Sequence, residues 1–266
     1  DLVIVRGEDP KQMAKAALEA LGGIDKLVKP GDVVVVKPNM AWDRLPEQAA
    51  TTNPAVVAGV VELCRKAGAK TVKVFDRTCN DARRSYDSSG IAKAAEEAGA
   101  SVDFVRDRKF HPLSIPKGVS MKEWIIYEDA AAADVLINIP IAKHHGQSRL
   151  TLGLKNMMGI AGGNRGSWHT EIHQRLADLA TITAVDLTIV DAYRILTDRG
   201  PASGTAADVR TEGVLVAGID PVAVDAYCTT IFGLEPGEVG FIPRAAEHGL
   251  GEMDLQKITQ QKIDLA

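Results

Sequence analysis

Cysteine is scarce in this chain: among its 266 residues there are three, at positions 64, 79 and 228. They lie too far apart in the sequence to form a Cys-x-x-Cys cluster or a disulfide framework. An iron–sulfur cluster held by cysteines alone needs about four thiolates. The composition therefore excludes an iron–sulfur cluster ligated by this chain alone.

Long apolar runs and an excess of one charge are also missing. No apolar run approaches the roughly 20 residues that cross a bilayer, which predicts no membrane span. Lysine and arginine together number 31, and aspartate and glutamate 35, giving a net charge of −4. Because the basic residues are scattered along the chain, the sequence argues against a nucleic-acid-binding surface.

What the chain does contain is an alternation of strand-like and helix-like segments. Residues 33–36 are four valines, as expected for a strand that is buried on both faces. Asn53-Pro54 places a capping residue before a proline, which predicts the start of a helix. The alternation predicts an α/β fold with a mostly parallel central sheet flanked by helices on both faces. We expect residues 1–266 to form a single domain of this kind.

Polar side chains follow several of the predicted strands. Ligands of parallel sheets bind at the carboxyl ends of the strands, so we expect these side chains to meet at one edge and form a ligand site. Exposure to water is the alternative interpretation for any one of them. They are Lys37 and Asn39 after residues 33–36, Asp76 and Arg77 after 71–75, Lys143, His144 and His145 after 135–139, Asp191 and Arg194 after 187–190, and Asp220 after 214–217.

A glycine-rich segment follows Lys155 and Asn156. Glycines let backbone N–H groups approach a ligand closely, so Gly162 and Gly163, together with Arg165, are predicted to cradle an anion. A flexible turn is the alternative interpretation. The segment is not a Walker motif, and it lacks the Gly-x-Gly-x-x-Gly dinucleotide pattern.

Four of the six histidines are concentrated here: His144, His145, His169 and His173. Residues four apart share one face of a helix, so His169 and His173 are predicted to point the same way. This arrangement predicts a divalent transition metal held by the four imidazoles. The alternative is that they donate hydrogen bonds or transfer protons to an anionic ligand.

Asp225 lies in a predicted apolar helix that begins at Asp220. A buried aspartate needs a cationic or hydrogen-bonding partner. We expect one of the lysines of the predicted site to supply it.

The ordered set of motifs resembles the family called domain of unknown function 362, over about residues 33 to 251. Members with a ferredoxin-like cysteine module resemble iron–sulfur proteins, and this chain resembles the version without that module. The resemblance implies a periplasmic or otherwise exported protein, with a cytoplasmic location as the alternative. The motifs are Lys37-Pro-Asn39, Thr51-Thr-x-Pro54, Asp134-Val-Leu-Ile-Asn-Ile-Pro with Lys143-x-His145, Thr151-Leu-x-Leu-Lys155-Asn156-x-x-Gly159, His169, Asp186-Leu-Thr-Ile-Val-Asp191, Gly200-Pro201 and Asp220-Pro-Val-Ala-Val-Asp225.

The sequence thus predicts a protein that binds a small anionic ligand or a metal, and it favours an enzyme. The alternative is a non-catalytic accessory protein of a redox system whose iron–sulfur cofactor lies in a partner protein. The predicted roles are anion binding by Lys37, Lys143 and Lys155, ligand orientation by Asn39 and Asn156, and proton transfer or metal ligation by His145 and His169, with Lys155 also catalytic.

Overall fold

The computed structural model describes residues 1–265, in which helices pack around one large sheet. None of the helices in this range is both long enough and apolar enough to cross a membrane. The strands are β1 (Leu2–Arg6), β2 (Val33–Pro38), β3 (Thr71–Val74), β4 (Ser101–Val102), β5 (Phe110–Ser114), β6 (Glu123–Tyr127), β7 (Val135–Ile139), β8 (Ile141–His145), β9 (Arg149–Thr151), β10 (Leu187–Leu196), β11 (Val209–Gly218) and β12 (Gln260–Asp264). The helices are α1 (Pro10–Ala20), α2 (Pro54–Lys66), α3 (Ala82–Ser88), α4 (Ile91–Glu97), α5 (Glu128–Ala131), α6 (Gly153–Asn156), α7 (Ile172–Ala180), α8 (Pro221–Ile231) and α9 (Phe241–Glu247).

The central sheet has the strand order β12-β1-β11-β10-β7-β2-β3-β4, and β8 and β9 extend it beside β10. The five strands β10, β7, β2, β3 and β4 run parallel to one another. In contrast, β11 is antiparallel to both β10 and β1. The predicted α/β fold with a mostly parallel sheet is confirmed.

Alternate side chains of the strands fill two apolar cores on opposite faces of the sheet. In β2, Val35 belongs to one core, whereas Val34 and Val36 belong to the other. This is the period of two that a strand imposes. Helices α1, α2 and α4 cover one face and α7, α8 and α9 cover the other. Two covered faces explain why the central strands are aliphatic throughout.

The direction of β11 moves one predicted residue away from the others. Asp220 follows β11, so it lies at the opposite edge of the sheet from Lys37, which ends a parallel strand. There Asp220 caps α8, since its Oδ1 accepts hydrogen bonds from Val222 N at 2.9 Å and Ala223 N at 2.8 Å. The prediction that Asp220 shares the site's edge is therefore wrong.

The segment after β7 is a strand rather than a loop. Pro140 separates β7 from β8, which pairs with β10 and with β9. Successive side chains of a strand point to opposite sides, so Lys143 and His145 face one way and His144 the other. The chain then passes through β9 into the short helix α6.

Candidate active site

A cavity of about 610 Å³ opens beside the carboxyl ends of β2, β3 and β8. Its wall is formed by the segments that follow these strands, by the loop after α6, and by a turn after β10. The lining residues are Asn39, Ala41, Trp42, Asp76, Arg77, Thr78, Cys79, Lys143, His145, Gly146, Gln147, Thr151, Lys155, Asn156, Met158, Gly159, Gly163, Asn164, Arg165, Gly166, His169, Gly200 and Pro201.

Many residues that the sequence singles out meet in this cavity, although they come from distant segments. Those that line it are Asn39, Asp76, Arg77, Lys143, His145, Lys155, Asn156, Gly163, Arg165 and His169. Those that do not line it are Lys37, which lies directly behind Asp76 and Asn156, together with Gly162, Asp191, Arg194, His144 and His173.

Lys37 forms a buried ion pair at the base of the cavity. Its Nζ lies 2.8 Å from Asp76 Oδ1, and both side chains are almost completely buried. The ammonium also donates to Pro38 O at 2.6 Å and, more weakly, to Asn156 Oδ1 at 3.4 Å. Burial lowers the pKa of Lys37, and Asp76 acts against that shift. The charge of Asp76 is thus already neutralised within the protein.

Gly159 lies against this ion pair. A Cβ atom at position 159 would be 2.0 Å from Asp76 Oδ1 and 2.4 Å from Lys37 Cε. Atoms cannot approach so closely, so a side chain at position 159 would force the buried ion pair to shift. Glycine therefore lets the loop pack against this ion pair.

Lys143 and Lys155 lack such a partner. Within residues 1–265, no carboxylate forms an ion pair with either ammonium. Burial, followed by the charge of Lys155, lowers the pKa of Lys143 to about 7. Burial is also the main cause that lowers the pKa of Lys155 to about 8. An anion that enters the cavity would supply the missing negative charge.

Two arginines add positive charge and fix the surrounding loops. Arg165 donates to Met158 O at 2.9 Å and to Arg77 O at 3.1 Å. Arg77 in turn donates to Gly163 O at 2.9 Å, and burial lowers its pKa. These hydrogen bonds hold the glycine-rich loop against the end of β3, so the position of both guanidinium groups is defined.

The Nε2 atom of His145 can only donate a hydrogen bond. Its Nδ1 accepts hydrogen bonds from Gln147 N and Ser148 N, both at 3.2 Å. The neutral ring must therefore carry its proton on Nε2. Burial, followed by the charges of Lys155 and Lys143, lowers the pKa of His145 to about 2. The ring thus stays neutral at any ordinary pH.

His169 has the opposite arrangement. Its Nδ1 lies 2.9 Å from Gly166 O, and because a carbonyl oxygen can only accept, Nδ1 carries the proton. The Nε2 atom of the neutral ring is then free to accept a proton. The rings of His145 and His169 are stacked, with centroids 6.1 Å apart and planes 8° from parallel. One imidazole of the cavity donates and its neighbour accepts.

His144 and His173 lie apart from this pair. His144 points away on β8, where its Nδ1 accepts from Gly200 N at 3.1 Å. The ring of His173 packs against Phe241, with centroids 6.2 Å apart. Since α7 begins after His169, the prediction that His169 and His173 share a helical face is wrong. Across residues 1–265, no three or more histidine, cysteine or acidic side chains are grouped so as to hold a metal.

The glycine-rich loop contributes less than a complete anion cradle. The N–H group of Gly162 donates to Ile125 O at 2.9 Å, so it is not available to a ligand. A Cβ atom at position 162 would also lie 2.7 Å from the Phe110 ring. Gly163 does line the cavity, in a left-handed conformation with φ of 63°.

Asp191 and Asp225 have backbone partners rather than lysine partners. Asp225 accepts from Gly153 N at 2.7 Å and Leu154 N at 2.9 Å, and Asp191 accepts from Asn53 N at 2.7 Å. Burial raises the pKa of Asp225 to about 7 and that of Asp191 to about 6, against the effect of these hydrogen bonds. The prediction of a lysine partner for Asp225 is wrong, since this carboxylate anchors the first turn of α6.

Asp76 and Arg77 follow β3 just as Lys37 follows β2, and both line the cavity at the edge where the strand-end rule places them. One residue of the cavity that the sequence did not single out is Trp42. Trp42 carries no comparable signal, because it lies in an irregular segment. Its ring is 5.8 Å from the Lys143 Nζ and helps to enclose that lysine.

The α/β fold of this chain resembles that of a solved protein. The structure of the lactate racemase apoprotein from Thermoanaerobacterium thermosaccharolyticum resembles this chain with a TM-score of 0.52 at 13% sequence identity. The likeness covers 82% of this chain and 54% of that one, so the chain spans about half of the racemase. At this identity, the likeness shows the fold alone.

The chain belongs to the family described as domain of unknown function (DUF362), whose model matches residues 34–230. A similar curated protein is the thylakoid-associated protein sll1697 of Synechocystis, which is 31% identical over 245 residues. That alignment covers 89% of this chain and 74% of the cyanobacterial protein. The expected family membership is confirmed.

Proposed function

We propose that the protein is an enzyme that binds a small carboxylate in this cavity and moves a proton at the carbon atom next to the carboxylate. The observation that carries the proposal is an excess of cations beside a histidine base. Four basic side chains line the cavity, whereas its one lining carboxylate among residues 1–265 is paired with Lys37. His169 stands in the same wall with an Nε2 atom that can accept a proton.

The carboxylate of the substrate would be bound chiefly by Lys143 and Arg165, which both line the cavity. A nearby anion raises the pKa of an amine because it stabilises the charged form. Binding would therefore return Lys143 to the ammonium state and create a charge-assisted contact. Arg165 remains protonated throughout, since guanidinium groups do not lose their proton in proteins.

The two stacked imidazoles would have different roles in the reaction. His169 Nε2 would accept the proton, which is the role of a general base. Nε2–H of His145 would donate a hydrogen bond to the oxygen atom on which negative charge develops. Because His145 stays neutral, it stabilises that charge without competing for the proton.

The fold likeness is consistent with this substrate class. The solved neighbour is by its name a racemase of lactate, and lactate is a small carboxylate. The argument for this chain rests on its own cavity, since the identity between the two is low.

The test is exchange of carbon-bound hydrogen for deuterium in D₂O, measured by mass spectrometry on a panel of small carboxylates. We expect the native protein to exchange at least one of them. His169→Gln should slow exchange by about 10²- to 10⁴-fold, the usual contribution of a general base. The melting temperature should change little, because His169 makes one hydrogen bond to its own loop.

His111→Gln is the matched control, because His111 is an exposed histidine outside the cavity. It should leave the exchange rate unchanged. The proposal is overturned if no carboxylate binds to the native protein, or if His169→Gln exchanges as fast as the native protein does.

A bound divalent metal remains a prediction of the sequence. In this cavity a metal could bind to Nε2 of His169. Neither ring nitrogen of His145 is available to it, because Nδ1 accepts two hydrogen bonds and Nε2 carries the proton. Elemental analysis of protein purified without chelators tests it. A stoichiometric transition metal would support the prediction.

The alternative of a non-catalytic redox partner predicts a contiguous apolar surface patch. The large apolar side chains that residues 1–265 leave exposed are Leu45, Phe104, Val119 and Ile219. None of these four side chains lines the cavity. We favour the enzyme because basic and histidine side chains converge in the cavity, as expected for a binding site.

The periplasmic or exported location also remains a prediction. The curated relative is by its name associated with thylakoids, so we propose peripheral contact with a membrane for this protein as well. Fractionation of cells that produce the full protein tests both points. Recovery in the soluble cytoplasmic fraction alone would contradict them.

A further inference from the structure

Lys155 is held in place by two anchors on either side of it. The Asp225 carboxylate accepts hydrogen bonds from Gly153 N and Leu154 N, at 2.7 and 2.9 Å. On the other side, Asn156 Nδ2 donates to Asn138 Oδ1 at 2.8 Å. Both anchors are buried, so the backbone of α6 is fixed while the Lys155 side chain extends along the cavity wall.

The Lys155 ammonium has only a weak hydrogen-bond acceptor beside it among residues 1–265. The one hydrogen-bond contact of its Nζ within residues 1–265 is to Met158 Sδ at 3.7 Å, and a thioether is a weak acceptor. Lys143 differs, because its Nζ donates to Ala50 O and its side chain is 1% exposed. Lys155 is half-buried and lines the cavity, so its nitrogen can meet a ligand.

Its surroundings favour the neutral amine. Burial is the largest cause that lowers the pKa of Lys155 to about 8, and Arg165 acts in the same direction while Cys79 opposes it. At pH 8, about half of these amines would be unprotonated. An ordinary lysine with a pKa near 10.4 would be less than about 1% unprotonated. Desolvation next to another cation is a known way to make a lysine nucleophilic.

We propose that Lys155 is a nucleophile that forms an imine with the carbonyl group of a small 2-oxo carboxylate. This inference rests on the proposed anion site, because the cations around Lys155 must hold the carboxylate of that substrate. One of these cations, Arg165, also lines the cavity and is fixed by its hydrogen bonds to Met158 O and Arg77 O.

The step balances without an oxidant or reductant. The Lys155 nitrogen attacks the carbonyl carbon, and the electron pair of the C=O bond moves to the oxygen. The nitrogen loses one proton to give a neutral carbinolamine, and the oxygen gains one. Loss of the second N–H proton together with the hydroxyl group releases water and leaves the C=N bond. His169 Nε2, in the same cavity, can carry these protons.

The experiment is reductive trapping of the full protein with pyruvate and sodium cyanoborohydride at pH 8, followed by peptide mapping. We expect Lys155 to be labelled at least about tenfold faster than Lys93, whose side chain is 83% exposed. In urea-unfolded protein this advantage should disappear, since the cavity no longer exists. Equal labelling of Lys155 and Lys93 in the folded protein would overturn the proposal.

Lys155→Arg separates charge from nucleophilicity, because arginine keeps the positive charge but does not form an imine under these conditions. We expect the variant to lose the adduct at position 155 but still to bind propionate, which has no carbonyl beside its carboxylate, because the positive charge is kept. Lys93→Arg should leave labelling at Lys155 unchanged.

Failure of this inference can be distinguished from failure of the proposed function. If propionate binds and no adduct forms at Lys155, the imine is wrong and the anion site stands. If neither propionate nor pyruvate binds, both are wrong.

Discussion

Lys37 and Lys155 lie within the same site, yet they have opposite surroundings. Lys37 is completely buried, and its charge is matched by Asp76 at 2.8 Å and by a backbone carbonyl. Lys155 reaches the cavity and has a thioether as its neighbour. The difference teaches that the partner, not the residue type, decides whether a lysine stabilises the fold or remains available to a ligand.

The largest effect is expected when the cation of the buried Lys37–Asp76 ion pair is removed. Lys37→Met should leave the Asp76 carboxylate buried without a cation and lower the free energy of unfolding by about 3–5 kcal/mol. Lys155→Met should change it by less than about 1 kcal/mol, because no charge loses a partner. Urea denaturation monitored by circular dichroism measures both.

The double variant Lys37→Met/Asp76→Asn is the control for that experiment. It removes both charges, so most of the lost stability should return. If Lys37→Met alone is as stable as the native protein, the ion pair does not hold the base of the cavity.

A second test extends the comparison to carboxylates, since Asp225 has backbone N–H partners and no cation. Its pKa is raised from 3.8 to about 7, so burial favours the protonated form. The stabilising contribution of that form is complete below pH 3.8 and is lost as the pH rises through about 7. In Asp225→Asn this loss, on the order of 4 kcal/mol, should be absent.

The measurement is the free energy of unfolding of both proteins at several pH values, and only the difference between them is interpreted. Asp9→Asn is a suitable control, because Asp9 is an exposed cap of α1. Parallel curves for the native protein and Asp225→Asn would contradict the prediction.

The smallest expected effect is a change in propionate affinity with pH, which depends on the unpaired lysines Lys143 and Lys155. The pKa values of Lys143 and Lys155 are lowered to about 7 and about 8, so both ammonium groups lose their protons as the pH rises through that window. The affinity for propionate should then fall by about tenfold between pH 6 and pH 9, by isothermal titration calorimetry. Lys155→Arg should show a shallower decline, since one cation persists; an affinity that rises with pH would exclude these lysines as ligands.

Part of the site could be predicted because local patterns determine it. The valines of β2 identify a doubly buried strand, and the parallel direction then brings Asn39 and Lys143 to the same edge. The glycine-rich loop likewise shows where a backbone must pass close to something. What it approaches at Gly159 is the ion pair of Lys37 and Asp76, which no pattern along the chain reveals.

The wrong predictions concern features that depend on distant segments. Nothing near Asp220 indicates that β11 runs antiparallel, and this direction alone moves the residue to the other edge. The partners of Asp225 are amides more than 70 residues away in sequence. His144 and His145 point to opposite faces because they lie in the strand β8, and no strand was predicted directly after residues 135–139.

The close approach of Gly159 to Asp76 and Lys37 limits how the protein can change. A library randomised at this codon should return glycine alone among folded variants. New ligand specificities would have to arise in other parts of the cavity wall, such as the turn at Gly200 and Pro201 or the loop that carries His169. The base of the cavity, formed by the Lys37–Asp76 ion pair, would stay unchanged.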